Sequence, residues 1–320
     1  MVPLVKSQFA FMDVTVIIPT RNREKALKIC LNSFTKQTIF PKEIIVVDNS
    51  STDKTREVIS SFEEKLPVRY IFEGKIGPSF ARNRGIQEAR GDLLAFTDSD
   101  CLPGKRWVEE IINAHKKKKG VVFQGKTVYY PQNNHFFSVL YYFCLERHLR
   151  VELYSSIRNS KKQTRIAPIQ FIDTNNVSFP KFLFRTKRDW FDESLSIYGE
   201  DTDLGLRFLK KGIPIFFNPS IIVRHPVERG FSNFWKNRFQ AGFTAGLLKR
   251  KWDSLKEKWQ LPASWERERK KFIQETEKEI LKEVLSEKKL GASRTIFAAG
   301  VMAEKLFWSL GFLISSFKRS

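Results

Sequence analysis

Two acidic side chains one residue apart, Asp98 and Asp100, directly follow the apolar stretch Leu93–Phe96. The apolar run predicts a buried strand that ends where the acids begin. Two neighbouring carboxylates repel each other and cost desolvation energy unless a cation lies between them. Oxygen ligands of this kind suit Mg²⁺ or Mn²⁺, ions that also bind phosphate groups. Asp and Ser are equally common in the turn that ends a strand, so the pair alone leaves both interpretations open.

A second acidic pair, Glu200 and Asp201, lies in the polar segment 199–203 at the predicted start of a helix. Negative charge is favoured at a helix N-terminus, so these acids could simply stabilise the helix. One of them could also be a general base that takes a proton from an attacking hydroxyl group. His225 follows a predicted short strand at 221–223. An isolated histidine is more often structural than a metal ligand, and the sequence alone does not decide its role.

Strands and helices alternate among the predicted elements that position these side chains. Capping residues in 48–53 and the glycine at 91 mark helix ends between the strands. Such an alternation predicts an α/β fold, with a doubly wound, mostly parallel sheet and helices on both faces. In such sheets, ligands bind at the carboxyl ends of the strands, where Asp98 and Asp100 lie. The strands predicted in this half are 14–19, 43–47, 68–72 and 93–96.

The pattern is less regular in the second half of the chain. Helical spacing predicts helices at 107–119 and 135–154, and the second is rich in aromatic residues and expected over the substrate side. Polar residues interrupt a predicted strand at 171–179, as they would in a strand that lines a site or lies at a sheet edge. Two further short strands are predicted at 213–218 and 221–223.

The composition fits a globular protein and excludes several classes. The chain has 320 residues, of which 42% are hydrophobic, and only three cysteines, which are widely spaced. It therefore has neither a disulfide framework nor a zinc-finger spacing, and we expect a reducing compartment. The N-terminal residues lack the apolar run of a signal peptide, so we expect a cytoplasmic protein. A dinucleotide-dependent dehydrogenase is disfavoured because no Gly-x-Gly-x-x-Gly follows the first strand.

The net charge of +21 points to an anionic partner. Residues 231–320 contain 19 basic and 10 acidic residues, a net of +9, and the remaining +12 lies in residues 1–230. The excess is thus spread along the chain, with no helix-turn-helix pattern, and no nucleic-acid partner is expected. An anionic membrane surface and an acidic substrate both stay open.

Two amphipathic segments are predicted near the C-terminus. Residues 265–290 are highly charged with apolar residues at helical spacing, which suits either a coiled-coil partner or packing on the same chain. Residues 295–317 are long enough to cross a bilayer, but Glu304 and Lys305 lie near the middle. On a helix the apolar residues of this segment share one face, which is typical of a helix on a membrane surface. Burial of that face against the protein's own core is the alternative.

Six motifs occur in the order found in the family 2 glycosyltransferases, and they span most of residues 14–242. The chain resembles this family, which has the GT-A fold. Each motif is modest alone, and their shared order makes coincidence improbable. The motifs are VTVIIPTRNR at 14–23, IIVVDNSSTD at 44–53, ARNRGI at 81–86, DSD at 98–100, NVSF at 176–179 and GEDTDL at 199–204.

The resemblance implies a site for a nucleotide-sugar donor. Arg82 and Asn83 would face its phosphates or ribose, although a helix surface would equally expose an arginine to water. Asp53 could instead cap the helix that follows it. The residues expected to hold the base and ribose are Thr20, Asn22 and Asp48.

The resemblance also implies a Mn²⁺ or Mg²⁺ ion. Asp100 would contact the ion most directly, whereas Asp98 would contact the ribose and support the ion. His225 stands where the family often supplies one more metal ligand. Such an ion would clamp the donor diphosphate and stabilise its charge as the sugar–phosphate bond breaks.

The acceptor side follows from the last two motifs. The family's general base is the second acid of the Glu-Asp pair, here Asp201, and Glu200 would then orient the acceptor. Asp203 is expected to serve the helix. Asn176 would lie on the acceptor side.

The resemblance implies a metal-dependent, inverting hexosyltransferase that moves one sugar from a UDP- or GDP-linked donor. The acceptor would be a glycan or a lipid-linked molecule, as in cell-envelope polysaccharide synthesis. Processive synthesis is disfavoured because residues 237–240 do not reproduce the Gln-x-x-Arg-Trp signature. The alternative is a nucleotide-sugar-binding protein of the same fold without turnover.

The expected organisation has three parts. Residues 1–12 would be an N-terminal extension, 13–242 the GT-A transferase domain, and 243–320 a basic helical region with a membrane-surface helix at 295–317. The protein would be cytoplasmic and peripheral on the inner face of the membrane.

Overall fold

A mixed sheet of nine strands organises the part of the chain that the structure describes. The structure is a computed structural model that describes residues 12–132, 135–145, 167–169, 172–195, 198–227, 230–256, 278 and 294–317. In chain order the strands are β1 Val14–Thr20, β2 Glu43–Asp48, β3 Val68–Phe72, β4 Leu93–Phe96, β5 Leu102–Pro103, β6 Val122–Pro131, β7 Ala167–Ile169, β8 Val177–Pro180 and β9 Ile215–Val227. Their order in the sheet is β3-β2-β1-β4-β8-β6-β9-β5, and β7 also pairs with β9.

Helices cover both faces of this sheet, as predicted. In chain order they are α1 Glu24–Phe34, α2 Thr55–Ser60, α3 Pro78–Glu88, α4 Trp107–Lys117, α5 at 136–145, α6 Glu200–Lys210, α7 Phe231–Lys256 and α8 Arg294–Phe317. Successive side chains of a strand point to opposite faces, so Val16 packs under α1, α2 and α4 while Ile17 packs under α3 and α6. The predicted α/β class is confirmed.

The N-terminal half of the sheet is parallel and the C-terminal half is mixed. β1 pairs in parallel with both β2 and β4, and β2 with β3. β8 then runs antiparallel to β4, with Val177 opposite Phe96. Because the two strands run in opposite directions, the turn before β8 lies beside the acids that follow β4.

Two predicted strands of the C-terminal half have different bounds in the structure. Residues 173–176 form the turn before β8, so the strand predicted at 171–179 begins at Val177. The two short strands predicted at 213–218 and 221–223 are one strand, β9. Its pairing with β6 shifts register between Gly125 and Lys126, so the chain around Pro219 bulges without ending the strand.

Helices α5, α7 and α8 form a separate packed unit beside the sheet. Leu140, Phe234 and Phe297 are buried together with residues at the ends of β6 and β9. α7 runs through residue 242, where the sequence places a domain boundary. α8 confirms the helix predicted at 295–317, and α5 confirms the first part of the one predicted at 135–154. The helix predicted at 265–290 lies outside the described residues, apart from residue 278.

Candidate functional site

Asp98 and Asp100 lie at the carboxyl end of β4, where the sequence places them. Asp100 Oδ2 is 2.5 Å from Arg23 Nη1, and Asp100 Oδ1 is 3.4 Å from His225 Nε2. Asp98 has a different partner, with its Oδ1 3.3 Å from Arg82 Nη2. Burial raises the pKa of Asp98, Arg82 lowers it, and the charge of Asp100 raises it further. The two acids thus face separate cations of the chain.

Asp100 and His225 offer ligand atoms that suit a divalent cation. Asp100, Cys101 and His225 each have one such atom within 4.8 Å of the others. A carboxylate and an imidazole match Mn²⁺, whereas a thiolate prefers softer metals. Burial raises the pKa of Cys101, so its thiol stays protonated and is a weak ligand. His225 lies within β9, opposite Tyr129. It was predicted to follow the strand, but the strand continues past residue 223, where the sequence predicted its end.

Arg82 connects the metal side of the site to the second acidic pair. Its Nη1 donates a hydrogen bond of 2.5 Å to Glu200 Oε1, while its Nη2 contacts Asp98. Its guanidinium also lies over the Phe191 ring, 5.6 Å from the centroid. Arg82 and Glu200 are both buried. Residues more than a hundred positions apart are thereby held in one cluster of side chains.

Glu200 and Asp201 begin α6, as predicted. The backbone enters this helix through Gly199, whose φ of 83° and close approach to Thr244 disfavour a larger residue. Burial, followed by the charges of Glu200 and Asp173, raises the pKa of Asp201 to about 8, while Arg82 lowers it. A carboxylate whose pKa lies near the working pH is suited to accept a proton.

Asp173 is a site residue that the sequence does not single out. The Tyr129 hydroxyl donates a hydrogen bond of 3.0 Å to Asp173 Oδ2, and Asn175 Nδ2 donates one of 2.8 Å. The only signal in the sequence is the polar interruption of the strand predicted at 171–179. The charge of this carboxylate raises the pKa of several groups of the cluster, namely Asp98, Asp201 and His225.

The loops after β1 and β2 lie together at the same edge of the sheet. Thr20 and Asp48 are paired in register, and the Thr20 Oγ1 is buried without a hydrogen-bond partner. Asp48 accepts hydrogen bonds from the Ser51 amide at 2.9 Å and the Tyr70 hydroxyl at 3.1 Å. Asn22 Oδ1 accepts one from the Thr52 amide at 2.7 Å. Of the three residues predicted to hold the base and ribose, Asn22 and Asp48 shape the loops through these hydrogen bonds. Thr20 is the one whose hydroxyl group has no hydrogen-bond partner.

The two predicted asparagines support the backbone. Asn83 Nδ2 donates to the Phe191 carbonyl at 3.0 Å, and its Oδ1 accepts from the Phe191 amide at 2.9 Å. Asn176 donates to the carbonyls of Lys126 and Ile221 at 3.0 Å each and accepts from Trp107 Nε1 at 2.8 Å. Asn176 is fully buried by these contacts. Its placement at the register shift between β6 and β9 does not support the predicted role on the acceptor side.

Two further acids have structural partners. Asp53 Oδ1 accepts a hydrogen bond from the Thr55 amide at 3.1 Å, and its Oδ2 accepts one from the Glu24 amide at 3.0 Å. It therefore caps the starts of both α1 and α2, which agrees with the capping interpretation. Asp203 is fully buried, contacts Arg207 and accepts a hydrogen bond from Trp252 of α7.

Solved structures with a similar fold are nucleotide-sugar transferases. The mannosyltransferase PcManGT from Pyrobaculum calidifontis, in complex with GDP-Man and Mn²⁺, has a TM-score of 0.56 and 16% identity, covering 95% of this chain and 85% of that one. S. aureus TarS 1-349, in complex with UDP-GlcNAc, has a TM-score of 0.52 and 18% identity, covering 74% of this chain and 66% of that one. At these identities the likeness shows the fold, which is the predicted GT-A fold.

Curated relatives give the same family. Validoxylamine A glucosyltransferase from Streptomyces hygroscopicus subsp. limoneus is 31% identical over 223 residues, which cover 63% of this chain. This chain spans about half of that relative's length, 49%. Residues 15–190, more than half of the chain, match the family described as glycosyl transferase family 2. The chain belongs to glycosyl transferase family 2.

Proposed function

We propose that the protein is a metal-dependent, inverting glycosyltransferase that moves one sugar from a UDP- or GDP-linked donor to a glycan or lipid-linked acceptor. The observation that carries this proposal is the double contact of Arg82 with Asp98 and Glu200. It links the acids after β4 to the helix start that carries Asp201, the acid with a raised pKa. Family membership and the GT-A fold support the same assignment.

Asp100 and His225 are the residues we propose to hold the divalent ion. When bound there, Mn²⁺ or Mg²⁺ would neutralise charge on the leaving diphosphate. The buried Thr20 Oγ1 and the loops shaped by Asn22 and Asp48 would receive the nucleoside, with Asp98 toward its ribose.

Asp201 is the residue we propose as the general base. The acceptor oxygen forms a bond to the anomeric carbon, and its proton passes to the Asp201 carboxylate. The carbon–oxygen bond to phosphate breaks, and its electron pair leaves with the diphosphate. Glu200 would orient the acceptor through Oε2, which is buried without a hydrogen-bond partner, while Oε1 is held by Arg82.

A nucleotide-sugar-binding protein without turnover is the second candidate. It would use the same donor residues but would not need a carboxylate with a pKa near 8 in the cluster. The raised pKa of Asp201 therefore favours the enzyme.

The protein is also proposed to be cytoplasmic and peripheral on the inner face of an anionic membrane. The net charge of +21 supports attraction to anionic headgroups. Among the described residues, no helix combines the length and apolarity that crossing a bilayer requires.

A thermal-shift experiment followed by a transfer assay tests the proposal. UDP or GDP with Mn²⁺ should raise the melting temperature, because a ligand that binds only the folded state stabilises it. The preferred nucleotide selects labelled UDP-GlcNAc or GDP-Man for the transfer assay. Asp100→Ala should lose the metal-dependent shift and the transfer, whereas Asp92→Ala, at the other end of β4, should keep both. Transfer at the normal rate in EDTA would contradict the metal requirement.

A further inference from the structure

Helix α8 packs against α7 with the side that carries its acidic residue. Glu304 is only 2% exposed, and its Oε1 is 3.6 Å from Arg238 Nη1 of α7. Ser315 is fully buried on the same side. Gly311 lies so close to α7 that a Cβ there would come within 2.1 Å of the Phe239 carbonyl oxygen. This side of α8 thus faces protein.

The opposite side of α8 is an exposed apolar ridge. Met302 and Leu306 are 69% and 70% exposed. Positions three and four apart lie on one side of a helix, and this ridge runs along roughly 18 Å of its axis. A surface helix of a soluble domain usually presents a polar side to water, whereas the outer side of α8 is mostly apolar. The ridge consists of Met302, Leu306, Phe307, Leu310, Leu313 and Ile314.

Burial of the apolar side against the protein's own core, the alternative left open by the sequence, is contradicted by these exposures. Single exposed apolar residues are ordinary, but a contiguous row of them marks an interaction surface. The partner must therefore be apolar where it meets the ridge.

Basic residues occur within α8 and directly after it in the sequence. Arg294 begins α8, Lys305 is exposed beside the ridge, and Lys318 and Arg319 follow the helix in the sequence. Positive charge beside an apolar helix face is the pattern that binds anionic lipid surfaces. A second copy of the chain would also carry a net charge of +21, so two copies repel each other as whole molecules.

We propose that the ridge of α8 inserts into the apolar layer of an anionic bilayer, with the helix lying along the membrane surface. Arg238 and Glu304 hold the helix so that the ridge faces outward. The inference deepens the proposed peripheral location, on which it rests, and names the face that performs the docking. Insertion of the ridge side chains would act together with the electrostatic attraction between a basic protein and an anionic membrane.

Vesicle co-sedimentation of the full chain tests the proposal without donor or acceptor. The protein should bind vesicles that contain phosphatidylglycerol and should bind pure phosphatidylcholine more weakly. The double variant Leu306→Ser with Leu310→Ser should have a partition coefficient at least about tenfold lower. The reason is that removing even one leucine from the lipid lowers the partition coefficient by about that factor. The matched control is Ile29→Ser with Ile39→Ser, two exposed residues of the sheet domain, and it should bind normally.

A fluorescent label gives a second measurement. The three native cysteines are buried, so a dye on Leu310→Cys reports the ridge alone. Its emission should shift to the blue with anionic vesicles and keep most of that shift at high salt. The nucleotide-dependent thermal shift of each variant shows whether the fold and nucleotide binding are intact. Failure of the transfer proposal can therefore be distinguished from failure of the membrane proposal. Absence of vesicle binding, a ridge-dependent dimer without lipid affinity, or resistance to alkaline extraction would each overturn the proposal.

Discussion

Arg82 forms ion pairs with two carboxylates from different parts of the chain. Its side chain is buried between Asp98 and Glu200, where an unpaired charge is costly. Arg84, two positions further along the same helix, pairs with Glu88 and is 38% exposed at its side chain. The two arginines thus offer a matched comparison of a buried and a surface ion pair.

We predict that Arg82→Met lowers the free energy of unfolding by about 3–5 kcal/mol, because Glu200 would be left buried without its cation. Arg84→Met should lower it by less than about 1 kcal/mol. Urea unfolding of both variants measures the difference. Adding Glu200→Gln to Arg82→Met should restore part of the loss. Equal losses in the two single variants would show that Arg82 is not the buried link of the site.

The raised pKa of Asp201 predicts a pH dependence for transfer. Below about pH 8 the carboxyl group is largely protonated and cannot accept a proton, so kcat/KM should rise with pH and level off above that value. The rise should be absent in Asp201→Asn. Asp173→Asn removes a negative charge that raises the pKa of Asp201. In this variant the increase of kcat/KM should therefore occur at lower pH. An unchanged profile in both variants would assign the titration to another group.

At the scale of elements, α7 and α8 are in backbone contact. A Cβ on Gly242 would come within 1.8 Å of the Trp308 carbonyl oxygen. This distance is too short for a non-bonded contact. With any larger residue at position 242, α8 would have to move away from α7. Gly230, just before α7, has no atom within 4 Å of such a Cβ.

We predict that Gly242→Ala lowers the free energy of unfolding by roughly 1–3 kcal/mol, the usual cost of overpacking. Gly230→Ala should be nearly neutral. Thermal unfolding of the two variants measures the contrast. If Gly242→Ala unfolds like the parent protein, the close packing of the two helices is wrong.

Local sequence signals are sufficient for the parallel half of the sheet. β1 to β4 have runs of apolar or β-branched residues, and each forms at the predicted place. Pro219 made β9 look like two strands, because a bulge is recognised only when the partner strand is known. Asn176 was expected on the acceptor side from the resemblance of its motif, and its buried hydrogen-bond partners become known only once the fold is known. Asp173 escaped notice because antiparallel pairing of β8 with β4, rather than any motif, brings it to the site.

At the scale of the whole molecule, a basic protein contains a cluster of acids around Arg82. The net charge of +21 attracts a diphosphate, while the acids of the cluster repel it unless a cation accompanies it. The donor is therefore expected to bind as a complex with a divalent ion. The ridge of α8 lies in the helical unit that packs on the ends of β6 and β9, and β9 also carries His225. The proposed metal ligand His225 and the proposed membrane face are thus connected through the same strand.

The most direct test measures sugar transfer and donor binding on the same preparations of the parent protein, Asp201→Asn and Glu200→Gln. We expect the parent to transfer sugar and Asp201→Asn to bind donor and Mn²⁺ normally by titration calorimetry. The kcat of Asp201→Asn should fall by roughly 10²–10⁴, the usual share of general-base catalysis. A parent protein that binds donor but never transfers it, or Asp201→Asn with normal turnover beside an inactive Glu200→Gln, would contradict the proposed function of Asp201.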